Sequence, residues 1–337
     1  MKNKKAWIIG TAMGLSTVML ATVAFAGTGA TSGYDALKAL MRTHGTVQEK
    51  NATVDLAVSV TESGKTVVNV DAVMKMDAEA QQMSGVVTAA GSGVDRTMTV
   101  YHTGSTGYLN VSGSDTWFQM ERTDETGMNG RMGPARGMHG GMGSGMQSEM
   151  RTDMAMDPDA AKFGEAFLDA VMGDLKNAVV LTENGTEKTF SLKIDQSNMP
   201  ELMKAALAIG ASHHQPEADA ATGLSDEALA ELGNPVAEAQ LKALIPEMES
   251  LHEAIDLKDN VTVDSIDLSF TVDADNQPVS GKTTVIVSGN AADGTAHTYT
   301  TDITVQYSNI GSTIPDTFQP EGKDVQVVQM PNHGDME

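Results

Sequence analysis

The chain has 337 residues and carries 45 acidic against 22 basic side chains, for a net charge of −23, and it contains no cysteine. Such a field repels phosphate backbones and anionic membrane surfaces, which argues against nucleic-acid binding. The missing cysteines exclude disulfides, thiolate metal sites and a lipidated-cysteine anchor. Apolar content of 40% with only 4% aromatics points to a core of aliphatic side chains.

The first segment reads as an export signal. Lys2, Lys4 and Lys5 form a basic region, Ala6 to Phe25 holds no charge, and Ala24-Phe25-Ala26 is a small-x-small cleavage pattern. About 20 apolar residues are also enough to span a bilayer, but Gly10, Thr11, Gly14, Ser16, Thr17 and Thr22 dilute this run. Residues 1–26 are therefore expected to be a signal peptide and Gly27 the first mature residue. Their removal takes away three lysines and no acid, so the mature chain is more acidic still.

Past the signal, a short amphipathic helix is expected where Leu37, Leu40 and Met41 share a face. Period-two alternation follows. Val54, Leu56, Val58 and Val60 point one way and Thr53, Asp55 and Ser59 the other, which is the pattern of a half-buried strand. Glu62-Ser63-Gly64-Lys65 reads as a hairpin turn, and the return strand aligns Val68, Val70, Ala72, Met74 and Met76. Further strands are expected at 81–90, 95–103 and 106–111, and Trp117-Phe118-Gln119-Met120 closes the meander.

Residues 122–156 break the pattern: they are glycine-rich, and eight methionines fall within the 29 residues from Met128 to Met156. Their length and composition predict a disordered insert. Helical spacing resumes after Asp157-Pro158, two strands are expected around Glu183-Asn184-Gly185, and residues 198–257 are expected to be largely helical. Three long strands near 261–274, 279–290 and 296–308 finish the domain, and residues 321–337 read as an acidic flexible tail.

Enzyme motifs are missing. There is no Gly-x-Ser-x-Gly elbow, no His-Glu-x-x-His and no phosphate-binding glycine loop, and His252-Glu253 lacks the second zinc histidine. Asp273-x-Asp275 begins like a calcium loop, but Pro278 stands where its glycine belongs. The chain reads as non-enzymatic.

Two stretches carry a family resemblance. One runs from Met98-Thr-Val-Tyr101-His-Thr-Gly104 through Gly107-Tyr108-Leu109 to Trp117-Phe118-Gln119-Met120. The other runs from Ile266-Asp-Leu268-Ser-Phe270-Thr-Val272-Asp273 through Thr301-Asp-Ile303-Thr-Val305 to Ile314-Pro315. Together they resemble the LolA-like superfamily of bacterial envelope proteins, which includes lipoprotein carriers and lipid-binding lipoproteins. The resemblance implies an α+β fold over residues 27–320, interrupted at 122–156: a twisted antiparallel sheet forming an open half-barrel covered by helices. It implies a cavity for acyl chains, and the candidate lining residues are Val54, Leu56, Val58, Val68, Val70 and Met74, with Leu241, Leu244 and Met248 on a covering helix.

The implied function is an extracytoplasmic, non-enzymatic carrier, monomeric and without cofactor. Its expected partner is an apolar small molecule or acyl chain, with transient contact to a membrane or another envelope protein. The alternative is an envelope metal-binding protein. Met138, Met142, Met146, Met150 and Met154 recur every four residues with His139 beside them, and thioethers are soft ligands suited to Cu(I) copper. Peptide mapping of the secreted protein is expected to find Gly27 at the N-terminus; a full-length species extracted from membranes as the main product would refute the cleavage.

Overall fold

The computed structural model of the chain describes residues 33–44, 51–121, 169, 172–201, 204, 255, 257 and 259–329. A helix, α1 (Gly33–His44), precedes β1 (Asn51–Glu62), β2 (Lys65–Asp77), β3 (Gln82–Gly91), β4 (Val94–Thr103), β5 (Thr106–Val111) and β6 (Thr116–Glu121). Then come a 3-10 helix (Gly173–Ala178), β7 (Val180–Asn184), β8 (Glu187–Asp195), β9 (Asp259–Val272), β10 (Pro278–Asn290), β11 (Ala296–Ser308) and β12 (Asp324–Gln329). None of the described helices is long and apolar enough to cross a membrane.

All twelve strands lie in one sheet, in the order β12-β6-β5-β4-β3-β2-β1-β11-β10-β9-β8-β7. Neighbours are antiparallel except β12, which runs parallel to β6. This overturns the expected half-barrel covered by helices: the described residues form one large sheet with only two short helical elements. The reason is local. Period-two alternation commits nearly every described segment to strand, and tight turns hold successive strands together. Ser63 and Gly64 both have positive φ (51° and 79°), as do Ser92 and Gly93 (48° and 83°). Two-residue loops of that kind match the twist of the strands they join. The helices expected within 157–171 and 198–257 lie, apart from isolated positions, outside the described residues.

Register gives the sheet one apolar face. Val54 stands opposite Met74 and Tyr307, Leu56 opposite Ala72 and Val305, and Val58 opposite Val70 and Ile303. The same parity continues through Thr283, Val285 and Val287 on β10 to Leu268 and Ile266 on β9 and Leu192 and Ile194 on β8. Over β7–β11 and β1 this inner face is the core. Tyr34 and Leu37 of α1, Leu175 of the 3-10 helix, Met199 and Leu257 pack on it, and Ile194, Val285, Val287 and Tyr299 are buried beneath. A second cluster joins Phe190, Phe270, Val272 and Val305, with Val54, Leu56 and Leu37 against it.

One polar cluster fixes α1. The Asp169 carboxylate accepts hydrogen bonds from the Tyr34 hydroxyl (2.7 Å) and the Lys38 ammonium (2.8 Å), with Lys176 at 3.4 Å. The Lys38 hydrogen bond, then that of Tyr34, holds the Asp169 pKa at about 2, below its ordinary 3.8.

Residues 309–323 form a strap across the outer face of β1–β6. Asn51 and Thr313 exchange side-chain and backbone hydrogen bonds (2.6 and 2.9 Å), and the Thr53 and Thr313 hydroxyls meet at 2.9 Å. Asp316 takes its next anchors from Ser84, through its backbone N–H (2.9 Å), and from Lys75 (2.9 Å). Phe318 then stacks on Tyr108, with ring centroids 4.2 Å apart, and leans on Trp117 at 4.6 Å and Tyr101 at 5.8 Å. The Lys323 ammonium lies over Trp117 at 4.5 Å, and the chain enters β12. Residues 324–329, expected in a loose tail, are thus a sheet strand, while 330–337 lie outside the described residues.

Two outcomes follow. A depressed carboxyl pKa contributes stability above the unfolded value, and that contribution disappears as pH falls from about 4 through about 2. Asp169→Asn is therefore expected to destabilise the protein at pH 7 by up to about 1 kcal/mol, since the pair is partly solvated, and the deficit should vanish in denaturation curves taken near pH 2. Phe318→Ala is expected to cost about 1–3 kcal/mol by emptying the half-buried aromatic stack; a denaturation midpoint unchanged from wild type would show that the strap does not hold the sheet.

Candidate functional site

Beyond β1 the inner face changes character. On β2–β6 it carries Val68, Val70, Ala72, Met74, Met76, Met83, Gly85, Val87, Ala89, Met98, Val100, Leu109, Phe118 and Met120, linked by continuous register. Most of these side chains are half-buried. Val111 and Phe118 are buried, and among the described residues no residue of β3–β6 belongs to either core cluster. The surface is made of small and flexible groups. Methionine, unbranched and polarisable, adapts to irregular apolar partners.

Six of the sequence-predicted lining residues fall on this one face. Val58 and Val70 are direct register partners, as are Val54 and Met74, while Leu56 and Val68 are two residues along on their strands. Val54, Leu56 and Val68 also touch the core clusters, so they stand at the border between the packed and the half-open parts. Leu241, Leu244 and Met248 lie outside the described residues. So do Met138, His139, Met142, Met146, Met150 and Met154.

Sequence reading missed a row that register assembles. Met76 on β2 pairs with Met83 on β3, Met83 with His102 on β4, His102 with Gly107 on β5, and Gly107 with Met120 on β6. Gly107 leaves a gap in the row. A Cβ placed there would lie 3.4 Å from the Met120 Cε and 3.8 Å from the His102 Cδ2, so both side chains lean over the glycine. One strand register away, the Met74 Sδ occupies the space that a Cβ on Gly85 would need. Counting outward from the Ser92-Gly93 turn would have placed Met83 opposite His102, so the signal was present in the turn.

The outer face has different chemistry. A shallow recess of about 440 Å³ is lined by Lys193, Asp267, Lys282, Thr284 and neighbouring atoms of β8–β10. Its charges are spoken for: Lys193 pairs with Asp267 at 3.5 Å and Lys282 with Asp302 at 3.6 Å. Among the described residues, no three His, Asp or Glu side chains are grouped so as to hold a metal ion.

No family model and no curated protein matches the chain. The likeness to the LolA-like superfamily therefore rests on residue pattern alone, and the fold it implied is not the one found.

Proposed function

We propose that the protein is a non-enzymatic carrier or binding protein for an apolar ligand of acyl-chain type, taken up on the inner face of β2–β6. The observation that supports this reading is the half-buried, methionine-rich apolar face that continues from a well-packed core and, among the described residues, has no core cluster of its own. Apolar surface left in water costs roughly 25 cal/mol per Å², so an occupant that covers the exposed part of this face gains that energy.

The composition of the face favours a lipid chain over a protein partner. Protein hot spots are enriched in Trp, Tyr and Arg. Here Tyr101, Tyr108 and Trp117 are held on the outer face against Phe318, whereas the inner face offers mainly valine, alanine, glycine and methionine, with Leu109, Phe118 and His102. These side chains give a smooth surface that molds to a flexible hydrocarbon and sets no register for it. The export signal expected at residues 1–26 fits a carrier working outside the cytoplasm.

Val58 and Val70 form a half-buried pair at the border of the face. Val70→Trp, and separately Val58→Trp, is expected to weaken binding of a fluorescent fatty-acyl probe by about tenfold or more, or about 1.4 kcal/mol, with the melting transition kept. In a filled core the same change would cost about 1–3 kcal/mol through overpacking. A wild-type protein that takes up no probe, together with variants that melt sharply lower, would refute the carrier reading.

A further inference from the structure

We infer that the acyl ligand is a free fatty-acid anion, held by its carboxylate at Arg96 with its chain laid across the inner face. The inference rests on the carrier reading and names its ligand class. Arg96 stands on the inner face of β4 opposite Ala89 on β3. Ala89 faces Val70 on β2, Val70 faces Val58 on β1, and Val58 faces Ile303 on β11. Arg96, Ala89, Val70 and Val58 are half-buried, whereas Ile303 is only 2% exposed. The row is a strip of small apolar side chains with a cation at one end and the packed part of the sheet at the other. Three strand spacings separate β4 from β1, about 14 Å. That span suits an extended hydrocarbon and not a compact ligand.

The charge on the face selects the headgroup. By register, the inner face of β3–β6 holds one arginine, no lysine and, among the described residues, no carboxylate. Arg96 lies close to the exposed Ser92-Gly93 turn, so its stem can rest on apolar surface while the guanidinium reaches the rim. An acyl carboxylate presented there meets a planar fork that matches it with two parallel hydrogen bonds. Arg96 Nη1 donates to the Asp95 carbonyl at 3.5 Å. A guanidinium carries five N–H donors, so bonds made within the chain do not exhaust it. Apolar side chains alone set no position for a hydrocarbon, and a headgroup bound at Arg96 fixes one end of it. The net charge of −23 repels an anion and attracts a cation at long range. A preference for a carboxylate head therefore has to come from a local cation.

The test is calorimetric titration of the full chain with dodecanoate, dodecan-1-ol and dodecylammonium, which share one tail. Wild type is expected to bind dodecanoate about tenfold more tightly than the alcohol, with the ammonium weakest in spite of the overall charge. Arg96→Gln is expected to bring dodecanoate down to the affinity of the alcohol and to leave the alcohol unchanged. Lys282→Gln, on the outer face, is expected to change neither. A wild-type protein that binds the alcohol or the ammonium as tightly as dodecanoate keeps the carrier reading and overturns the headgroup assignment. A folded Arg96→Gln variant that retains the preference does the same. Failure of wild type to bind any of the three refutes the carrier reading and this inference with it. Should Arg96→Gln fail to fold, the wild-type order of the three ligands decides, because the net charge alone would reverse it.

Discussion

The constraint on which the rest of this protein depends is strand parity. Side chains alternate with period two, so shifting one strand by a single residue would turn its whole apolar set to the other face. From β8 through β11, β1 and β2 to β6, each hairpin is set so that the same face stays apolar. Two-residue turns with positive φ at Ser63-Gly64 and Ser92-Gly93 lock the register where they occur. Elsewhere burial does so, as where Ile194, Ile266 and Val285 line up under Leu175 and Met199. The result is a wide apolar surface that a sheet alone has no means of covering.

The two halves of the sheet solve this differently. Over β7–β11 and β1, α1 and the 3-10 helix close on the inner face and make a conventional core. Over β1–β6, the described chain that crosses the sheet lies on the outer face. The strap from Asn309 to Lys323 bonds Asn51, Thr53, Ser84 and Lys75 in turn, then closes the aromatic stack of Tyr101, Tyr108 and Trp117 before β12 pairs with β6. Stabilisation supplied from outside leaves the inner face of those strands without a structural duty visible in the described chain, which is why the functional readings concentrate there.

Much of the sheet was legible in the sequence. Alternation placed β1, β2, β4, β5 and the three long strands β9–β11 within a residue or two of where they lie, because each has polar and apolar sides of clear contrast. The turn before β8 falls one residue later than expected, at Gly185-Thr186, since the positive φ belongs to Gly185 as the first turn residue. The strap and β12 were not legible. Residues 309–323 have no period, contain Pro315 and Pro320, and draw their partners from strands more than 200 positions earlier. β12 is short and looks like polar tail until a parallel edge is available to it. The single-sheet architecture was also beyond the sequence, because alternation specifies faces and says nothing of which strands become neighbours. The row at His102 required that neighbour information as well, with the exception of its Met83 partner.

The separation of faces also sorts the charges. Among the described residues, Asp71, Asp267, Asp302 and Asp316 belong to the polar side or to the strap, where they pair with lysines or face water, while Glu62 and Asp169, on the inner side, are held by His297 and by Lys38, Tyr34 and Lys176. The same parity that gathers apolar side chains on one face thus gathers most of the described charges on the other, and both follow from where the turns fix the strands.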